Sequence, residues 1–151
     1  MITLADQPFD PAQALGAFSA GRTGVGAITS FVGLARGQAA GAKVLELEAY
    51  EGFTEAAIEA FVAEARLRFS LIDVAVIHRI GQIVVGEPIV MVCTAAAHRR
   101  EAFEACDYLM DYLKSQAPFW KKEFGPGGPR WVEPTARDRS DLARWSTETA
   151  R

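Results

Sequence analysis

The chain reads as an α+β fold, a mostly antiparallel sheet packed with two main helices, on three observations. Two long segments, Thr54 to Phe69 and His98 to Leu113, repeat apolar residues every three and four positions, so each helix buries one face. Several shorter segments are rich in β-branched residues or alternate apolar with polar ones, which is the period of a strand. The links among the strands between Val74 and Ala95 are too short for parallel crossovers and suit antiparallel neighbours. A chain of 151 residues with 50% hydrophobic and 23% charged residues makes one globular domain that buries a core without staples.

Asp10-Pro11 starts the first, short helix, because an acidic N-cap precedes a proline whose missing N–H costs nothing there. That helix runs to Ser19 and is ended by Gly21 and Gly24. Val25 to Val32 is a strand, and Leu34 to Lys43 is a loop by its glycine and alanine content. Val44 to Tyr50 alternates Leu45, Leu47 and Ala49 against Glu46, Glu48 and Tyr50, as a half-solvated strand does. Thr54 is placed to cap the next helix, which carries Ile58, Phe61, Val62, Ala65 and Phe69 on one face. Val74 to Ile80 and Gln82 to Val85 are strands, and Gly86-Glu87-Pro88 turns the chain into the strand Ile89 to Ala95. The second long helix begins near His98, carries Phe103, Cys106, Leu109, Met110 and Leu113, and must stop before Pro118. Beyond Glu123 follow a glycine- and proline-rich loop and a short strand from Arg130 to Glu133. The expected organisation is a single domain over 1–133 and a charged tail over 134–151, partly helical around Asp138 to Trp145.

The formal net charge of −3 excludes a general nucleic-acid binder, so any positive patch is local. The N-terminus lacks the basic start and apolar stretch of a signal peptide. The longest apolar run, Ile89 to Ala97, falls far short of the roughly 20 residues that span a bilayer. A cytoplasmic protein with no membrane partner is the expectation. Cys93 and Cys106 stand in apolar surroundings and read as core thiols of a reducing compartment. His78 lies on the Val74, Val76, Ile80 face of its strand and reads as a core histidine. With no carboxylate or cysteine at ligand spacing from either histidine, no metal site is expected.

Lysine usage carries the chemistry. The chain has only four lysines against twelve arginines, and Lys114, Lys121 and Lys122 fall within nine residues around a proline break. An amine loses its proton readily when desolvated and can act as nucleophile, acid or base, whereas a guanidinium stays charged. Phe119 and Trp120 set an aromatic wall beside these amines, and Lys114 and Lys121 flank Pro118, where the chain can fold both over one pocket. The plainer alternative is that Lys114 complements a helix C-terminus and the other two are solvated. His98-Arg99-Arg100, at the start of the second long helix, puts cations where the helix dipole disfavours them. Either they form an oxyanion site with the free N–H groups, best suited to phosphate, or they point to solvent with Glu101 and Glu104 as partners. Arg36, just past a strand end in a glycine-bordered loop, either reaches a ligand or is solvated.

The same segments, in this order, resemble the MoaE family, the catalytic large subunits of molybdopterin synthase. The stretches are Phe31-Val-Gly-Leu-Ala-Arg36, Leu47-Glu-Ala-Tyr-Glu-Gly-Phe-Thr-Glu55, Val76-Ile-His-Arg-Ile-Gly81 and Ala97-His-Arg-Arg-Glu-Ala-Phe103. They continue through Met110-Asp-Tyr-Leu-Lys114, Ala117-Pro-Phe-Trp-Lys-Lys-Glu123 and Arg130-Trp-Val-Glu133. The resemblance implies an α/β hammerhead fold and a homodimer of large subunits within a heterotetramer. The partner it implies is a small ubiquitin-like sulfur carrier ending in a Gly-Gly thiocarboxylate. The implied reaction converts cyclic pyranopterin monophosphate to molybdopterin by installing the dithiolene sulfurs. No cofactor is implied, since the product is itself the organic part of the molybdenum cofactor.

Carried over by position, the resemblance makes Lys114 and Lys121 catalytic and assigns Arg36, His98 and Arg99 to the pterin phosphate. Phe31 and Met110 line the pocket, and Lys122 stands behind it. The resemblance also implies a basic residue from the dimer mate's C-terminal segment. Pro134-Thr135-Ala136 departs from the family pattern there, and the choice among Arg130, Arg137 and Arg139 stays open. Two other classes compete with this reading. A non-catalytic module that binds a pterin phosphate and docks a ubiquitin-like partner would need His98 and Arg99 but neither lysine. A Schiff-base enzyme of the aldolase type would trap a carbonyl substrate on Lys114.

Overall fold

The structure, a computed structural model, describes residues 1–146; of the tail expected over 134–151, residues 147–151 lie outside the described residues. The fold is α+β, with two four-stranded sheets where one was expected. In chain order the elements are β1 (Ile2–Ala5), α1 (Pro11–Ser19), β2 (Ala27–Leu34), β3 (Val44–Ala49), α2 (Phe53–Arg68), β4 (Asp73–Arg79) and β5 (Gly81–Val84). They continue with β6 (Pro88–Ala96), α3 (Arg99–Ser115), β7 (Phe119–Gly125), β8 (Gly128–Trp131), α4 (Ala136–Ala143) and a 3-10 turn, Arg144–Ser146.

The first sheet has the order β1-β4-β6-β2 and buries both faces. On one face Val74, Val76, Val90 and Val92 pack against α2 and α3. On the other, Ala75, Met91, Cys93 and Ala95 pack against Phe18 of α1. Strand alternation thus splits β4 and β6 between two cores, as the period of two requires. β2 and β4 both run antiparallel to β6, whereas β1 lies parallel to β4. The β1 strand was not expected from the sequence. It is four residues long and is anchored where the Met1 ammonium donates to the Val74 carbonyl at 2.8 Å.

The second sheet has the order β5-β3-β7-β8, all antiparallel. It corrects the expectation that β4, β5 and β6 pair with one another in sequence. β5 leaves the first sheet to pair with β3, and β4 pairs with β6 across the gap. Gly81 (φ 79°) and Gly86 (φ 99°) make the two crossings in left-handed backbone that a side chain disfavours.

Asp10 caps α1 as expected, accepting from the Ala12 and Gln13 N–H groups. Thr54 is not the cap of α2; that position falls to Gly52. The Thr54 hydroxyl is buried, accepts from the Tyr50 N–H at 2.8 Å and donates to the Pro118 carbonyl at 2.7 Å. It therefore ties the start of α2 to the break between α3 and β7.

The tail packs on the domain. Thr135 and Asp138 close a reciprocal capping box on α4, and the turn after it buries Trp145 against Phe69 and Tyr108. Cys93 and Cys106 are free and buried, and burial pushes their thiols up to about 11 and about 12. Among the described residues no helix is long and apolar enough to cross a membrane, and no group of His, Cys, Asp and Glu could hold a metal.

Candidate active site

A cavity of about 500 Å³ opens where the two sheets meet the C-terminal end of α3. Its floor is apolar, with Leu45 and Leu47 of β3, Ile89 and Val90 of β6 and Leu113 of α3. Phe31 and Met110 line it, and Arg36, Lys114 and Lys121 bring three cations to its wall.

Three elements place these cations. Lys114 is in the last turn of α3, which stops at Ser115, three residues before Pro118. Lys121 projects from β7, a strand the lysine-rich sequence did not announce. Pairing with β3 sets Phe119, Lys121 and Glu123 on the inner face and Trp120, Lys122 and Phe124 on the outer one. Two inward charges on one strand erase the apolar alternation that would have marked it. Arg36 sits on the loop after β2. That loop is pinned at its start, where the Ala35 N–H donates to the Glu87 carbonyl and the Gly86 N–H donates to the Ala35 carbonyl, both at 2.8 Å.

Glu123 holds the same loop from the other side. Its carboxylate is 1% exposed and accepts from the Gln38 N–H at 2.8 Å, the Ala39 N–H at 3.0 Å and the Arg130 Nε at 2.9 Å. Burial alone would raise its pKa, but the N–H donations from Gln38 and Ala39, with Arg130, outweigh burial and hold it below the ordinary value. One ionised side chain thus joins the strand bearing Lys121 to the loop bearing Arg36.

The electrostatics single out Lys121. Burial first, then the charge of Lys114, lower its pKa, and the charge of Arg36 acts the same way. Glu123 and Asp138 oppose them. Asp138 lines the cavity, accepts from the Thr135 N–H at 2.7 Å and stays ionised below the ordinary range. The cavity therefore holds a partly buried amine of reduced basicity, a second amine beside it, an arginine and a carboxylate. Such a set can bind anions, stabilise a developing negative charge and transfer a proton.

The sequence-predicted residues divide into two groups. The structure brings Phe31, Arg36, Met110, Lys114 and Lys121 together. His98 and Arg99 are exposed and do not line the cavity of this chain. The reason is helix length: fifteen residues of α3 separate Arg99 from Lys114, about 22 Å at 1.5 Å per residue. His98 is the N-cap of α3 with no side-chain cap bond, and Arg100 faces Glu104 at 3.9 Å. Lys122 stands on the outer face of β7, with its Nζ 4.5 Å from the Trp131 ring centroid. Of the candidates for a cross-dimer cation, Arg130 pairs with Glu123, Arg137 with Asp141, and Arg139 donates to the Pro134 carbonyl.

The matches to known proteins follow this geometry. A family model described as MoaE protein matches residues 4–116, three quarters of the chain. The chain belongs to the MoaE family. The molybdopterin synthase catalytic subunit of Caulobacter vibrioides is 63% identical over 148 residues, covering 98% of this chain and 99% of that protein. The solved MoaE protein of Burkholderia ambifaria superposes with a TM-score of 0.82 at 44% identity, covering 98% and 99% of the two chains. A crystal structure of molybdopterin synthase from Staphylococcus aureus superposes with a TM-score of 0.76 at 26% identity, covering 87% and 94%.

Asp138 and His78 also line this MoaE cavity, and nothing in the sequence marks either as functional. Asp138 falls in the tail that the sequence expects to be partly helical, where a Thr-x-x-Asp cap signal marks its place. His78 was read as core, and it is indeed 7% exposed, yet it also lines the cavity. Its ring stacks on Phe119 with centroids 4.3 Å apart. No sequence signal distinguishes a core histidine from one at a cavity wall, because both sit on the same strand face.

Proposed function

We propose that this chain is the catalytic large subunit of a molybdopterin synthase, transferring sulfur from a small ubiquitin-like carrier to cyclic pyranopterin monophosphate. The observation that carries the reading is the pair Lys114 and Lys121, set with Arg36 around one cavity on an otherwise acidic protein. Family membership, and the naming of relatives as molybdopterin synthase catalytic subunits, support it. The reaction must bring a thiocarboxylate to a phosphate-bearing pterin. Two unit charges 4 Å apart repel by about 4 kcal/mol at an effective dielectric of about 20. A cluster of cations removes that barrier.

In this reading the sulfur of the Gly-Gly thiocarboxylate bonds to a pterin side-chain carbon as that carbon's C–O bond breaks, and the oxygen leaves protonated, as water or as the freed phosphate ester oxygen. Lys114, exposed at the end of α3, stabilises the tetrahedral species or moves its proton. Lys121 orients the anionic tail. Water then cleaves the carrier's carbonyl–sulfur bond, so the tail leaves as a carboxylate and the sulfur stays on the pterin. A second carrier repeats the step. Arg36 holds substrate oxygens through charge-assisted hydrogen bonds. His98 and Arg99 can serve a phosphate in such a cavity only from a second copy of the chain, consistent with the homodimer implied by the family resemblance.

The test is product formation from cyclic pyranopterin monophosphate and thiocarboxylated small subunit, comparing wild type with Lys114→Ala. The expected result is wild-type turnover, with at least a hundredfold loss in the variant and retained small-subunit binding. A wild type that binds both partners without turnover would instead establish the non-catalytic binding module.

A further inference from the structure

Besides its cations and carboxylates, the cavity wall carries a buried histidine, His78. His78 Nδ1 lies 2.9 Å from the Arg79 carbonyl oxygen. A carbonyl only accepts, so Nδ1 carries the proton, and in a neutral ring Nε2 is then a bare lone pair. Burial pushes the imidazole down to about 4, with the charges of Lys121 and Lys114 acting the same way, so the ring is neutral at physiological pH. Nε2 makes no hydrogen bond to any described residue and is not sealed from solvent. His78 is therefore an unpartnered acceptor on a side chain more than nine-tenths buried, at the wall of the cavity.

Stacking on Phe119 fixes the plane of the ring, and the Arg79 contact fixes its tautomer. Arg36, Lys114 and Lys121 can only donate. A neutral acceptor beside them does not repel an anionic ligand, yet it has a directional preference for an N–H. We propose that His78 Nε2 accepts a hydrogen bond from an amide-type N–H of the bound ligand and thereby sets how that ligand lies between the lysines. This rests on the synthase reading, in which two occupants carry such a donor: the pterin ring and the peptide N–H of the Gly-Gly tail. The cations select for negative charge; His78 makes the cavity discriminate for an N–H donor at a fixed distance from that charge.

Three variants and one wild-type measurement test this. His78→Phe keeps the stacking surface without an acceptor. His78→Asn keeps a polar group near the Nδ1 position but offers nothing at Nε2. His78→Gln places an amide oxygen near Nε2. With the small subunit and the pterin phosphate, His78→Phe and His78→Asn lose roughly ten- to hundredfold in kcat/KM, since a ligand donor is left unpaired, and His78→Gln recovers part of that loss. Full activity in His78→Phe, or equal loss in all three variants, would overturn the proposal.

Nitrogen NMR of histidine-labelled wild type tests it without any substitution, since the chain has only two histidines. The bare Nε2 resonance of His78 should move upfield when the ligand donor arrives. A move with the Gly-Gly small subunit alone identifies the peptide N–H, and a move with pterin phosphate alone identifies the ring N–H. No change with either or both would refute the acceptor role. If wild-type turnover is absent, the synthase reading fails, while the nitrogen shift still decides the role of His78.

Discussion

Replacing Glu123 by glutamine should uncouple the two halves of the cavity. The carboxylate takes the Gln38 N–H on one oxygen and the Ala39 N–H on the other, and both contacts are within 3.0 Å. Hydrogen bonds to a charged acceptor contribute about 1.5–3 kcal/mol each. Arg130 adds little, because its side chain is 55% exposed and a solvated pair contributes about 0–1 kcal/mol. Glutamine keeps one acceptor oxygen and presents an amide donor to the other N–H. The expected loss is therefore about 2–3 kcal/mol, and about 3–5 kcal/mol for Glu123→Ala, which strands both donors.

The pH dependence gives a sharper signature. The folded pKa of Glu123 lies below its ordinary value of 4.5, so its stabilisation is present above that pH and is lost as pH falls through the folded value. Urea denaturation at pH 7 should show the full gap between wild type and Glu123→Gln, and the gap should shrink below about pH 4.5. Because the Glu123 charge also supports protonation of Lys121, the variant should lose affinity for the anionic carrier tail at a lower pH than wild type. A variant within about 0.5 kcal/mol of wild type at pH 7, or a gap that persists unchanged in acid, would refute the pinning role.

Three further outcomes are expected. Affinity for the Gly-Gly tail should fall as pH rises through the lowered pKa of Lys121; Lys114→Gln removes a neighbouring charge and moves that limb to higher pH, measurable by calorimetric titration. Asp138→Asn should move the limb to lower pH, and breaking the α4 capping box should cost about 1 kcal/mol in thermal unfolding. Trp145→Ala should destabilise the protein by about 3–5 kcal/mol, since the indole packs on Phe69 and Tyr108 and its N–H donates to Asp111. A loss under 1 kcal/mol in denaturant unfolding would mean that the segment after Pro134 is a dispensable tail.

Much of the fold was legible because burial writes periodicity into a sequence. The α1 limits, the faces of α2 and α3, and strands β2 to β6 all follow from apolar spacing or turn residues, to within two residues at most ends. Two elements were hidden. β1 is too short to show a pattern and owes its place to pairing with β4. β7 turns Lys121 and Glu123 inward, so the strand that matters most to the chemistry lacks the alternation that identifies strands. The pairing of β5 was also hidden, because a short link shows that strands are close but not that they share a sheet.

The chain by itself determined its helices, its class, the scarcity of lysine and the clustering of amines around Pro118. These are local properties, set by side-chain chemistry and by the backbone limits of proline and glycine. Tertiary structure alone decided which cations share a cavity. The rise of α3 carries His98 and Arg99 away from Lys114, while the β3–β7 register and the Glu123 carboxylate draw Lys121 and Arg36 to it. It also decided that His78, indistinguishable in sequence from a core residue, lines that cavity, because the position of a wall depends on packing among elements distant in the chain.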